Sequence, residues 1–369
     1  MRKTLAYTYD ALNRPVSRGA DTFAYNERGE VVSSRIDIVN AEDAYAYDNV
    51  GNLLYSADHS ATNTYVSNNR NQYTSILRES VSSCEPIYDL DGNMTQHGAW
   101  TYNFDAGNRL ISVSSNDTLV ATFAYDAQGR RVKKVAADGT HRYFYDGWLL
   151  VYEHIIRPNC TTNEIEYVWG KDISGTRGGA AGIGGLLYLK RDGVVYIPWY
   201  DAYGNILGYC DAQGSVVAQY IYDAFGDTIS QSEIQADAFS LRYSTKYYDS
   251  ETDFYYYGYR YYNPQIMRWL TMDPAAENGG LNLYAFCGNN TVSYMDIKGG
   301  SGKTLNEIEK TYREMITAAR KKGKNIAADN LEYFLSNKGG TKILDWNWLR
   351  SDSSVIAGER LNQKRFEKS

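Results

Sequence analysis

Histidine, cysteine and proline are all scarce in this 369-residue chain, with four, four and six copies. His59, His97, His141 and His154 have no spacing that suggests metal ligation or a catalytic triad. Neither residue type occurs within 301–369. That absence excludes a histidine-based nuclease or acyl-transfer centre, or a cysteine nucleophile, contained in that stretch. Cys84, Cys160, Cys210 and Cys287 lie far apart, a pattern of neither a zinc site nor a dense disulfide framework. Long apolar runs are missing too. The longest, around Ala180 to Leu189, is too short to span a bilayer, and Met1 to Asp10 lacks the apolar stretch of a signal peptide. What the chain does hold is 35 Tyr and 32 Gly against only 10 Phe, at a mean hydropathy of −0.51. Tyrosine tolerates a half-wet sheet face better than leucine does, so this composition predicts a mainly β protein. A thin curved wall fits it better than a compact two-layer sandwich.

A repeat organises the tyrosines and glycines. The unit Tyr-Asp-x-x-Gly-Asn/Arg starts at Tyr47, Tyr88, Tyr125 and Tyr200, with a fifth copy at Tyr222 that ends in Asp227. Looser copies start at Tyr9, Tyr25, Phe104 and Cys210. An Asp followed three residues later by Gly suits a type I turn, because the carboxylate bonds nearby backbone and Gly accepts positive φ. Such a turn commonly closes a hairpin with a glycine bulge. Alternation in Phe123-Ala124-Tyr125, Tyr143-Phe144-Tyr145 and Tyr220-Ile221-Tyr222 places the flanking rings on one strand face. The Tyr before each Asp is thus expected to end a strand and lie over the turn or a neighbouring hairpin. Calcium does not explain these aspartates: Asp89-Leu90-Asp91-Gly92 opens like an EF-hand loop, but Trp100 stands where its bidentate Glu belongs.

Composition changes after Gly299-Gly300. Residues 301–369 carry 14 Lys/Arg against 9 Asp/Glu, a net +5 that leaves −11 for the first 300 residues. Thr304-x-x-Glu307 has capping-box form, Leu305, Ile308, Tyr312, Met315 and Ala319 share a helical face, and Arg320 to Gly323 read as a helix end. Shorter helices are expected over Ile326 to Ser336 and Val355 to Glu367, making a small α-helical C-terminal domain. Gly299 to Thr304 imitates a phosphate loop, but Ile297 replaces its first glycine, so a hinge is the expectation. Gly182 to Leu187 lacks the third glycine of a dinucleotide fingerprint and reads as a tight bend between hairpins. No cofactor is implied.

The stretch Tyr255-Tyr256-Tyr257-Gly258-Tyr259-Arg260-Tyr261-Tyr262-Asn263-Pro264, then Arg268 to Pro274, Asn282 to Phe286 and Asn289-Asn290, resembles the Rhs repeat-associated core. With the upstream repeats, residues 1–300 resemble Rhs/YD-repeat proteins, related to the shells of insecticidal toxin complexes and of teneurins. Tyr167 to Gly170 through Gly184 to Leu187 also looks like a linker of bacterial members. The resemblance implies a spiralling antiparallel sheet forming a hollow shell, divided as a YD-repeat segment (1–233), the core (234–300) and a variable tail (301–369), often a toxin. Closing such a shell takes more repeats than are present here, so the chain is expected to be the terminal portion of one.

Relatives with toxin tails often cut themselves just after Asp-Pro-x-Gly, using paired carboxylates and an Arg. Two such carboxylates can share a proton, one acting as base towards water and the other as acid towards the amide. The resemblance assigns these roles to Asp273 and Asp296, with Arg268 as charge partner. Asp296-Ile297-Lys298-Gly299 departs from it by lacking the proline, Gly300 replaces an apolar residue, and Thr291 stands where proline often follows Asn-Asn. The expected function is a shell segment of a bacterial polymorphic toxin, secreted or at the cell surface, that sequesters and delivers its own tail. An immunity protein or secretion-system component is an expected partner, and the basic tail makes nucleic acid one possible target. Two alternatives are an adhesion module whose Tyr255 to Tyr262 rings stack on glycans, and a self-processing aspartyl-type protease.

Overall fold

The computed structural model describes residues 5–57, 61–79, 82–300 and 303–304. They form a continuous antiparallel meander in which each strand of a sheet pairs with the next in sequence. Nine strands, from Tyr7–Tyr9 to Ser82–Cys84, make the first sheet, and fourteen, from Ile87–Tyr88 to Thr228–Ser232, the second. The break between them falls at Glu85-Pro86, where proline has no N–H to offer a ladder. A four-stranded sheet follows, of Tyr247–Asp249, Phe254–Tyr256, Tyr261–Asn263 and Arg268–Trp269. Finally Tyr294–Met295 pairs with Lys303–Thr304, so the stretch expected to be a hinge ends in a strand. The helices expected in the tail lie outside the described residues.

All nine repeats are hairpin turns of one design. At Asp48 the backbone N–H donates to the Asn52 carbonyl and the Gly51 N–H donates back to the Asp48 carbonyl. Oδ1 of Asp48 accepts from the N–H groups of Val50 and Asn52, at 2.9 and 2.8 Å. The same double acceptance recurs at Asp10, Asp105, Asp126, Asp201, Asp211 and Asp223. Strand register slips just before the tyrosine, as between Ala46 and Tyr47, which is the expected bulge. Six tyrosines at such strand ends then reach back to the preceding hairpin. Tyr25, Tyr47, Tyr125, Tyr145, Tyr200 and Tyr222 donate their hydroxyls, at 2.5 to 2.8 Å, to carbonyls of Pro15, Val31, Leu110, Arg131, Leu186 and Ile206. Those acceptors are the first residues of their strands, so the hydroxyls stitch neighbouring hairpins together.

The two large sheets curl towards each other. Arg18, near the start of the first, pairs with Asp201 in a turn of the second at 3.2 Å, and the rings of Tyr7 and Tyr203 lie 6.1 Å apart. Residues 236–296 run across their inner faces. Ring pairs join wall to this segment at Tyr88–Tyr284, Tyr102–Phe254, Phe123–Tyr261 and Tyr143–Tyr247, while Tyr45–Phe225 joins the two sheets of the wall to each other. One apolar core therefore extends from Phe23 to Cys287, and this segment covers inner faces of the wall. Outward positions stay wet, as at Phe144 between buried Tyr143 and half-buried Tyr145.

Candidate functional site

A glycine bulge leaves the carbonyl of the glycine outside the hairpin ladder, free to accept. Residues 244–291 supply donors to these carbonyls turn by turn. Asn290 reaches Gly29 at 2.7 Å, Asn282 and Asn289 reach Gly51 at 2.9 and 2.8 Å, Tyr284 reaches Gly92 at 2.7 Å, and Thr245 reaches Gly204 at 2.6 Å. Tyr262 donates to Phe225, and Thr291 to Ala224, in the Asp223 turn. The core segment is thereby held to a rim of repeat turns from both sheets.

Arg268 belongs to that rim. Its guanidinium donates to the Asn71 carbonyl and to Asn52 Oδ1, the latter at 2.7 Å, and stacks 3.7 Å from the Tyr73 ring centre. It is not brought to Asp273 and Asp296. The cation placed there is Arg260, just before the strand Tyr261–Asn263, with its guanidinium 4.1 Å from the Trp269 ring centre. Arg260 Nη2 lies 2.8 Å from Asp273 Oδ2 and 3.7 Å from Asp296 Oδ2. The same side chain donates to the carbonyls of Gly299, from Nε at 2.7 Å, and Gly300, from Nη2 at 2.9 Å. One guanidinium thus reaches both carboxylates and the carbonyls of Gly299 and Gly300.

Asp296 follows the strand Tyr294–Met295 and is 1% exposed. Its Oδ1 accepts from the N–H groups of Lys298, Gly299 and Gly300 at 3.0, 2.6 and 2.9 Å, while Oδ2 has no hydrogen-bond partner. Burial pushes its carboxyl up to about 6, against the pull of Arg260 and those amides. Asp273 Oδ1 accepts from the Ala275 N–H at 2.7 Å. Lys246 is a second cation that sequence spacing did not reveal. Its buried ammonium donates to the Ile297 carbonyl at 2.7 Å, and burial lowers it to about 8 despite Asp296 and Asp172 nearby. Burial also holds the Cys287 thiol well above its usual range, the environment of an inert cysteine. Chemically, the arrangement offers a carboxyl able to hold a proton near neutrality and a cation already polarising two adjacent peptide carbonyls.

The rings proposed as a glycan platform are not available to one: Tyr255, Tyr256, Tyr257, Tyr261 and Tyr262 are buried, and only Tyr259 of the tyrosines in that run is exposed. Inter-strand and cross-sheet packing accounts for them. Among the described residues no His, Cys, Asp or Glu cluster could hold a metal ion, and no helix is long and apolar enough to cross a membrane.

Comparison with known proteins adds the family. A Teneurin YD-shell profile matches residues 7–292. The chain is 32% identical over 270 residues to a tRNA3(Ser)-specific nuclease WapA of Bacillus spizizenii, covering 69% of this chain and 11% of that protein. It is 26% identical to toxin subunit YenC1 of Yersinia entomophaga, covering 75% of this chain and 30% of that one. The chain thus spans less than a third of either relative. The crystal structure of TcdB2-TccC3 superposes with a TM-score of 0.55 at 20% identity, over 80% of this chain and 18% of that one, which shows a shared shell fold. With stitched repeat turns along both sheets and a profile match over most of its length, the chain belongs to the Teneurin YD-shell family.

Proposed function

We propose that this YD-shell segment sequesters and delivers its own C-terminal stretch, residues 301–369, as part of a bacterial polymorphic toxin, and that the carboxylate pair cuts the chain after Gly299 or Gly300. The 1–233, 234–300 and 301–369 division then separates wall, core and cargo. The observation that carries the reading is Arg260, whose guanidinium joins Asp273, Asp296 and the Gly299 and Gly300 carbonyls where the net charge of the sequence changes sign. In this scheme a carboxylate takes a proton from the attacking water, Arg260 stabilises the charge growing on the carbonyl oxygen, and the protonated carboxyl supplies the leaving amide nitrogen. The names of the nuclease and toxin-subunit relatives support a toxic cargo, delivered to the outside of the producing cell. Nucleic acid is the first target class to test for the basic tail, with an immunity protein guarding the producer.

Expression of the full chain, read by gel and mass spectrometry, tests this. Release of a tail of about 70 residues is expected, lost in Asp296→Asn, Asp273→Asn and Arg260→Lys but retained in Arg268→Lys. An intact chain at every pH between about 4 and 8 would sink the processing step. Growth inhibition by residues 301–369 expressed alone, relieved in the full chain, tests the sequestering role separately.

A further inference from the structure

The glycine-rich stretch between the paired strands Thr162–Trp169 and Leu186–Arg191 is a 170–185 excursion folded inwards, and it closes on the tight bend expected from Gly182, whose carbonyl accepts from the Gly185 N–H at 2.9 Å. Asp172 organises it: Oδ1 accepts from the Ser174 N–H at 3.0 Å and from the Ser174 hydroxyl, and Oδ2 from the Ala180 and Gly182 N–H groups at 2.8 and 3.1 Å. Ala180 and Ile183 are fully buried and form a small apolar cluster, separate from the main core, with Tyr203 and Met295, flanked by Ile173 and Ile297. Met295 and Ile297 are the neighbours of Asp296 on either side. The loop is pinned there by the Gly184 N–H, which donates to Thr245 Oγ1 at 2.9 Å, and Thr245 adjoins the lysine that holds the Ile297 carbonyl.

We propose that loop 170–185 is the cover of the carboxylate site: it clamps the chain on both sides of Asp296 and keeps bulk water from that side chain. This rests on the processing role argued above. The loop and Lys246 act as positioning elements, since the side chain that donates to the Gly299 and Gly300 carbonyls is Arg260. The charged or titratable groups around Asp296 include Arg260, Lys246, Cys287 and Tyr257, with Lys298 beside Lys246 and Asp273 across Arg260. The loop itself contributes Asp172 beside Lys246. Because burial is the main force holding the Asp296 proton, loosening the cover moves any proton-dependent step towards acid pH.

The test uses the full chain with Ile183→Ser, and in parallel Thr245→Val, which removes the pinning hydroxyl while keeping side-chain shape. Hydrogen exchange is read at the amides of Lys298, Gly299 and Gly300, and the pH profile of tail release is recorded alongside. Exchange faster by roughly tenfold or more at those three amides is expected in either folded variant. The falling limb of the profile should also move down by about one pH unit. Unchanged exchange in both variants, or slower release with an unmoved profile, overturns the cover. If the unsubstituted chain releases no tail, the processing reading fails, and the exchange measurement still decides whether the loop covers Asp296.

Discussion

Removing one hydroxyl tests the stitching between repeats most directly. Tyr222 is buried, and its O–H donates to the Ile206 carbonyl at 2.8 Å. Tyr222→Phe keeps the ring and deletes only that bond, so unfolding by urea should register a loss of about 1 kcal/mol. No change there would make the tyrosines space-filling alone. A pH effect is expected from His141, held between Glu153 Oε1 at 2.7 Å and Asp138 Oδ2 at 3.0 Å. Burial alone would lower its pKa, but those hydrogen bonds and the Glu153 charge outweigh burial and repulsion from Lys134, and raise it above 6.5. A raised folded-state value means the stabilisation is complete below about pH 6.5 and disappears as pH climbs through that value. His141→Gln should therefore flatten the alkaline side of the melting-temperature profile. At this scale the sequence was readable where chemistry is local: an Asp bonds backbone two and four residues on whatever surrounds it. Choosing between Arg260 and Arg268 was not, because the two lie either side of one hairpin and only tertiary contacts separate them.

Between elements, charge as well as apolar surface fastens the core segment to the wall. Arg131 and Lys134, on the strand Arg131–Ala136, both bond Asp249 at the end of the strand Tyr247–Asp249. All three are buried, and the Arg131 guanidinium lies within 6 Å of five aromatic ring centres, of Phe123, Tyr143, Tyr247, Tyr256 and Tyr261. Asp249→Asn should cost about 3–5 kcal/mol in denaturant unfolding, because buried Arg131 loses its carboxylate partner and Lys134 keeps only Glu251. Adding Arg131→Met to that variant should recover part of the loss, whereas additive losses would mean that the pair is not coupled. The repeat hairpins themselves were legible because the signal repeats, but further turns of this kind escaped notice. Asn68 opens a turn of the same hydrogen-bonding pattern, with Asn71 rather than glycine at positive φ, 62°. Neither the tyrosine nor the glycine of the unit is present there, and asparagine is the side chain that can replace both Asp and Gly in a turn.

For the molecule as a whole, a wall was readable and what lines its inner faces was not. Alternating rings predict that a sheet has one buried face, yet they do not say what buries it. That information lies in pairings across more than a hundred residues, such as Tyr143 with Tyr247 or Tyr73 with Arg268. Strand ladders of the two large sheets are local and remain intact on paper if the chain stops at residue 235. Their inner faces do not, since Tyr73, Tyr102, Phe123 and Tyr143 would lose the partners that dry them. Each such side chain contributes about 1.5–3 kcal/mol on burial, and the rim carbonyls of Gly29, Gly51, Gly92 and Gly204 would return to solvent at the same time. A chain truncated at residue 235 should therefore keep β-type far-ultraviolet dichroism while losing near-ultraviolet signal, binding a hydrophobic dye and unfolding without a sharp transition. A cooperative, dye-free truncation would show instead that the wall stands alone, and that the core segment serves only to hold the carboxylate site at its rim.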